Sequence, residues 1–336
     1  MRRASGSLFG LAYGDALGKP TEFMEYADIV AQYGPAGPRE LDGDPALVTD
    51  DTQMALAVGE ALAEVDSPTP EAFEPVLRRN FLAWAVSPDN NRAPGMTCLL
   101  ACEALADGRP WQAATQIGSK GCGANMRVTP VGLVPDLDDE QRAGAAQLQA
   151  ALTHGHPTAL AASELTAYAV HWLRTGMDPA DLLDALRRHC DDQREVYLGR
   201  WLGDLWQRSG ATSATGYIAA GWDECAAELD RVAAALSEAF GLPNGDPCLA
   251  TGAGWIAEEA LGTALYCFLG AGPLHAPGNP VAVLGRAAAS SGDSDSIACL
   301  AGAFVGAARG MEAWPASWPA RIEYSDRLTR LGTSWD

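Results

Sequence analysis

Gly292-Asp293-Ser294-Asp295-Ser296 sets two carboxylates and two hydroxyls at the start of a stretch, Ile297 to Gly310, that is nearly free of charge. That stretch is mostly Ala, Gly, Leu, Ile, Val and Phe, the composition of a helix packed closely on several faces. Its amino end is therefore expected inside the protein, where a carboxylate is costly unless it is paired, hydrogen-bonded or bound to a metal. A second segment has the same chemistry. Thr49-Asp50-Asp51-Thr52 opens an apolar helix predicted over Gln53 to Glu64. Each segment by itself is an ordinary helix start, since Ser, Thr and Asp are preferred caps and first-turn acids suit the helix dipole. Two such turns facing one another would instead supply the hard oxygen ligands that Mg²⁺, Mn²⁺ or Ca²⁺ require.

Composition bounds the remaining possibilities. A chain of 336 residues with 48% hydrophobic content can bury a large core. A net charge of -20 argues against a nucleic-acid backbone or an anionic membrane surface as main partner. The eight cysteines show no paired C-x-x-C spacing, and several fall in Ala/Leu-rich helical patterns, which points to reduced, buried thiols and a cytoplasmic protein without a zinc site. Arg2 and Arg3 precede a mildly apolar run, but Asp15 interrupts it and no small-residue cleavage site follows. No segment offers the ~20 apolar residues of a membrane span.

Apolar residues recur at threes and fours along the chain, and no stretch alternates with period two. Helices are expected over Ser7–Leu17, Glu71–Ala85, Thr97–Ala106, Trp111–Ile117, Glu140–Ala151, Ala159–Arg174, Ala180–Cys190, Ala226–Phe240 and Ile256–Phe268, with a short one before Gly292. Gly18 is suited to a left-handed helix end. The stretch Arg194–Thr215, with Trp201 and Trp206, carries no clear period, and Glu312–Asp336 reads as a peripheral tail. With no linker, repeat or low-complexity tract, the prediction is one all-α domain over residues 1–336.

Several further residues carry chemistry. Glu22, beside Pro20 in a turn, reads by itself as a solvated acid. Gly118-Ser119-Lys120-Gly121-Cys122-Gly123 is glycine-rich enough to approach a ligand or present amides to phosphate, and equally suits a tight turn. Arg127 would anchor this loop or pair with an acid. His154 and His156 lack a third nitrogen or sulfur ligand nearby, so His154 is a cap or a stacking ring as readily as a ligand. Trp255 follows a glycine turn and is by default a core aromatic.

Together, Gly14-Asp15-Ala16-Leu17-Gly18, Thr49-Asp50-Asp51-Thr52, the glycine loop ending in Met126-Arg127 and Gly292-Asp293-Ser294-Asp295-Ser296 resemble, in order and context, the ADP-ribosylglycohydrolases, a family that includes the dinitrogenase reductase-activating glycohydrolase. The resemblance runs from about residue 5 to 309. It implies a compact, orthogonal all-α domain around a centre of two Mg²⁺ or Mn²⁺ ions. Thr49, Asp50 and Asp51 would supply ligands from one side, and Asp293, Asp295 and Ser296 from the other. Ser296 departs from the Thr of many members, but either hydroxyl can ligate a hard cation. Glu22 stands where the family often carries an acid near the metal or the scissile bond, and Glu22, Asp50 or Asp51 would manage protons. Gly118, Ser119, Gly121, Cys122 and Gly123 would take the diphosphate and adjacent ribose, with Cys122 standing where some members carry Asn. His154 and Trp255 would flank the adenosine end.

The implied activity is metal-dependent release of ADP-ribose from a protein or other macromolecule by a monomer. The arginine linkage comes first because an acid-rich mouth suits a guanidinium, with Asp89 in Ser87–Arg92 as the candidate contact. Serine-linked or small-molecule ADP-ribose hydrolysis, and a catalytically silent ADP-ribose-binding relative, are the alternatives.

Overall fold

Glycine spacing sets the centre of the fold. In the opening helix, Arg3–Gly18, glycines at 6, 10, 14 and 18 recur every fourth position and so share one stripe. The stripe lies antiparallel against the Ser294–Arg309 helix with backbone touching backbone. A Cβ added at Gly10 would sit 2.3 Å from the Gly302 carbonyl oxygen, and one at Gly14 would sit 1.9 Å from that of Ala298. The expected left-handed end at Gly18 does not form. The helix runs on into a right-handed Lys19, and Gly18 is required for room, since its Cβ would fall 2.4 Å from the Asp295 Cα.

The computed structural model describes residues 1–238, 245–270 and 279–336, which form helices and no strand. Three isolated bridges join loop segments. The Pro157–Thr175 helix, buried without interruption from Pro157 to Val170, packs on the Ser294–Arg309 helix. Around this centre lie Asp50–Glu64, Pro70–Ala85, Met96–Ala106, Asp139–Ala151, Pro179–Gln193, Ala214–Glu238, Ala257–Leu269 and Pro280–Ala288. No described helix is long and apolar enough to cross a membrane.

Three expectations change. The run from Trp111 is helical only to Ala114, because Gln116 leaves it to pair with the His154 segment. The Ala214–Glu238 helix starts twelve residues before Ala226, since Ser213 caps Gly216 and Gly221 lets the helix press on Pro157. The last two residues of the expected Ala226–Phe240 run lie outside the described residues.

The third concerns the tail, which is part of the core rather than peripheral. Tyr13 is held between Trp314 and Trp318, with ring centroids 5.6 and 5.0 Å away. The Asp336 carboxylate accepts hydrogen bonds from the Ala4 and Ser5 amides and the Ser5 hydroxyl. It caps the opening helix, whose own preceding residue, Arg2, provides no side-chain cap.

Candidate metal centre and ligand cleft

The two acid turns meet because the central helices end there. Asp15, on the last turn of the opening helix, is completely buried. Its carboxylate accepts from the Thr49 amide and hydroxyl, both at 2.9 Å, and from the Thr52 amide at 3.1 Å and hydroxyl at 2.5 Å. It thus clamps the turn that carries Asp50 and Asp51. Both aspartates lie inside the first turn of the helix rather than ahead of it. Asp50 Oδ2 accepts from the Gly95 amide at 3.2 Å, whereas Asp51 Oδ1 is buried with no hydrogen-bond partner.

On the facing side, Asp293 stands at the cap position of the Ser294–Arg309 helix but makes no side-chain capping bond. Asp295 Oδ1 accepts from the Ser296 amide at 3.0 Å. Thr21, bonded to the carbonyls of Gly18 and Ala288, holds the turn that brings Glu22 in. Carboxylate oxygens of Glu22, Asp293 and Asp295 lie within 4.8 Å of one another. Glu22 is half-buried and the other acids are buried.

No lysine or arginine forms an ion pair with any of these six carboxylates among the described residues. Burial first, then the Asp295 charge, pushes Asp15 up to about 7, Asp50 to about 8 and Glu22 to about 9. Asp51 and Asp293 are driven well above the carboxylate range by the same two causes, and Asp295 is raised by burial. Six acids gathered without a cation, one with an orphaned oxygen and one idle as a cap, have the donor chemistry to hold hard divalent ions.

The glycine loop lies beside this cluster. It is held by the Cys122 amide on the Trp255 carbonyl at 3.0 Å and the Ala257 amide on the Lys120 carbonyl at 2.9 Å. Lys120 Nζ pairs with Glu224 at 2.7 Å and with Glu258. The Ser119 and Gly121 amides are also spent internally, on the Gln116 carbonyl and the Ser119 hydroxyl, so the loop is not an open row of amides. A Cβ at Gly121 or Gly123 would meet the His154 ring at 3.3 and 3.1 Å, while Gly118 borders open space.

His154 sits beneath the loop, 2% exposed, with Nδ1 on the Thr153 hydroxyl at 2.8 Å. Burial and then Arg127 hold its pKa well below the usual value, so it is a neutral support. Arg127 anchors this floor through Gln149 and Thr153 and lies 4.4 Å over the Phe81 ring, with no acid partner among the described residues. Cys122 is buried, and its thiol is pushed up by burial and by Asp293 and Asp51. Trp255 is 43% exposed and stacks on Phe23, ring centroids 5.5 Å apart. Asp89 is exposed in its loop, and its Oδ2 accepts from the Tyr324 hydroxyl at 2.9 Å.

The ADP-ribosylglycohydrolase family model matches residues 1–334. This chain belongs to that family. The chain aligns almost end to end with ADP-ribosylhydrolase ARH3 of Homo sapiens, at 27% identity over 99% of this chain and 93% of the relative. The ADP-ribosyl-[dinitrogen reductase] glycohydrolase of Rhodospirillum rubrum is 31% identical over 60% of this chain and 68% of its own length. The YegU protein of Escherichia coli is 31% identical over 57% of this chain, a match spanning 61% of that relative, under two thirds of its length. A solved structure described as an ADP-ribosylglycohydrolase-related protein complex superposes with a TM-score of 0.69 at 22% identity, covering 99% of this chain and 96% of that one, and so shares the fold.

Two residues at the site, Asp15 and Phe23, were given no role there by the sequence. Asp15 is the only charged residue between Arg3 and Lys19, a signal that it needs buried partners. Phe23 takes a left-handed φ of 65° and is 70% exposed, so its ring is held against Trp255 at the edge of the acid cluster.

Proposed function

We propose that this enzyme is a hydrolase dependent on two Mg²⁺ or Mn²⁺ ions that releases ADP-ribose from a modified protein, with arginine-linked ADP-ribose preferred. The observation that carries the reading is the orphaned Asp51 Oδ1 within a group of carboxylates that lacks any cation. Thr49, Asp50 and Asp51 would hold the ions from one side, and Asp293, Asp295 and Ser296 from the other. Asp15 lies outside this set because both its oxygens are taken by Thr49 and Thr52. Two divalent ions, when bound, orient the ribose hydroxyls and lower the pKa of a water.

Hydrolysis forms a bond from the water oxygen to the anomeric carbon and breaks the bond to the leaving nitrogen. One proton leaves the water and one reaches the departing group. Glu22 is suited to carry them as the one partly exposed acid of the cluster, with Asp50 and Asp51 behind it. The loop from Gly118 through Ser119, Gly121 and Cys122 to Gly123 walls the diphosphate and adjacent ribose, with Gly118 bordering open space and the Ser119, Gly121 and Cys122 amides already bonded within the protein. His154 stiffens it from below, and the exposed face of Trp255 serves the adenosine end. Eight free cysteines, seven of them buried, support a reducing, cytoplasmic setting.

For the linkage, Asp89 retains Oδ1 for a guanidinium, since only Oδ2 is bonded to Tyr324. Turnover of mono-ADP-ribosylated arginine and serine peptides, with and without divalent ion, tests the reading. Metal-dependent release from arginine peptides is expected, and Asp89→Asn should lower kcat/KM there by roughly tenfold, the worth of one charge-assisted bond. Release from serine peptides alone would move the assignment to the O-glycosidic bond. Turnover only of small ADP-ribose derivatives would make this a small-molecule hydrolase. ADP-ribose binding without turnover of any substrate would make the chain a silent binder.

A further inference from the structure

At the far end of the opening helix from the acid cluster lies a cavity of about 470 Å³, the size of a small-molecule site. Arg3, Arg142, His171 and Arg174 line it. Arg3 and Asp15 are twelve positions apart on one helix, roughly 18 Å at the usual rise, so this cavity is separate from the catalytic cleft.

Three guanidiniums converge on this cavity, none with a carboxylate salt bridge among the described residues. Arg3 donates through Nη1 to the Leu173 and Arg174 carbonyls, Arg142 to those of Val131 and Leu137, and Arg174 to those of Leu133 and Trp335. Carbonyl acceptors orient these groups without supplying a counter-charge. Arg3 Nε and His171 Nδ1 are buried with no hydrogen-bond partner among the described residues.

The acids nearby offset this charge only in part, since Asp136 and Asp336 on the same wall both act on Arg174 but stand against three guanidiniums. Asp336 has its carboxylate spent on the Ala4 and Ser5 amides and the Ser5 hydroxyl, and Asp139 faces the Tyr168 hydroxyl. Asp136 lines the same wall and acts on Arg174 at a distance, with no ion pair to the three arginines among the described residues. His171 registers the balance. Burial first, then Arg142 and Arg174, hold it down at about 4, against a smaller opposing pull from Asp139.

We propose that this cavity is a second, non-catalytic binding site for a phosphate-type oxyanion, free or carried on a small metabolite, held by Arg3, Arg142, Arg174 and a protonated His171. A tetrahedral oxyanion supplies acceptors to the unpartnered Arg3 Nε and His171 Nδ1 and adds negative charge where three guanidiniums face two carboxylates. In a chain of net charge -20, such a pocket selects anions by local field against the global one.

The test uses the full-length protein and inorganic phosphate. Phosphate at 10–20 mM, on the order of a weak-site Kd, should raise the thermal midpoint over sodium chloride of equal ionic strength. Among the five histidines, the His171 ring resonance, assigned by its loss in His171→Gln, should titrate at higher pH when phosphate is present. Arg3→Met keeps the aliphatic stem, and both it and His171→Gln should cost the phosphate-dependent stabilisation at least fivefold in apparent Kd while leaving basal turnover unchanged. If Arg3→Met fails to fold, His171→Gln alone carries the same readout. A phosphate effect matched by chloride overturns the proposal. So does one retained in both variants but lost in Gly121→Val, which would assign the anion to the glycine loop.

Discussion

Replacing Gly14 by alanine probes the seam that brings Asp15 and Asp295 together. A Cβ there would lie 1.9 Å from the Ala298 oxygen, 2.3 Å from the Ala298 carbonyl carbon and 2.7 Å from the Cys299 nitrogen. Ordinary contact begins near 3.4 Å. The obstructing atoms are backbone, so no rotamer can yield and the helices must part by about 1.5 Å in a core packed too densely to absorb it. Overpacking of this kind costs about 3 kcal/mol, and alanine recovers about 1 kcal/mol over glycine in a helix interior, leaving a net loss of roughly 2 kcal/mol. Exposed Gly216, whose Cβ would meet only the Ser213 hydroxyl at 3.1 Å, is the control, and Gly216→Ala should gain up to ~1 kcal/mol. Urea unfolding reads both variants, and calorimetric titration with Mn²⁺ reads whether the parted helices still assemble the acid cluster. A Gly14→Ala protein as stable as the parent and binding Mn²⁺ unchanged would refute the reasoning.

Asp50→Ala and Asp295→Ala should each weaken Mn²⁺ binding by tenfold or more, since each removes a charged ligand, and unchanged calorimetric isotherms in both would sink the ligand set. Ion binding must also displace protons from carboxyls raised to about 7 to 9, so affinity should fall between pH 8 and pH 6, and heats should depend on the buffer's ionisation enthalpy. Phe23→Ala should lower kcat several-fold with stability within ~0.5 kcal/mol, because the Trp255 stack steadies the turn carrying Glu22. Phe23→Tyr should restore the rate, and a stack without that role would leave kcat untouched. Glu228 is buried with Oε1 unpartnered, and burial outweighs Arg231 to raise it to about 8. A raised acid loses stability as pH climbs from its unfolded value through its folded one. Glu228→Gln should therefore gain on the parent in urea midpoint from pH 5 to pH 8 and level off above, and a pH-independent difference would contradict the assignment.

The sequence by itself determined the helical class, most helix positions and the two acid turns. Those features are local: apolar residues at threes and fours show a helix face, and acids abutting a charge-free run demand partners wherever that run packs. It also contained the glycines at 6, 10, 14 and 18, but a glycine every fourth residue is equally a weak helix until its neighbour is known.

Only the tertiary structure decided what each of these residues faces. Asp15 became the clamp on Thr49 and Thr52, thirty-four and more positions away, and Gly18 proved to be a point of close approach rather than a helix end. The tail has a helical period of its own, with Leu328, Leu331 and Trp335 at threes and fours in the Ser325–Trp335 helix, but its place in the core comes from Tyr13 and from the cap it lends to Ala4 and Ser5. His154, read from its surroundings in sequence as a cap, a ring or a ligand, is a buried floor under Gly121 and Gly123. Local pattern fixes which way the backbone turns, whereas the electrostatics of a buried acid depend on charges that the chain brings alongside only when it folds.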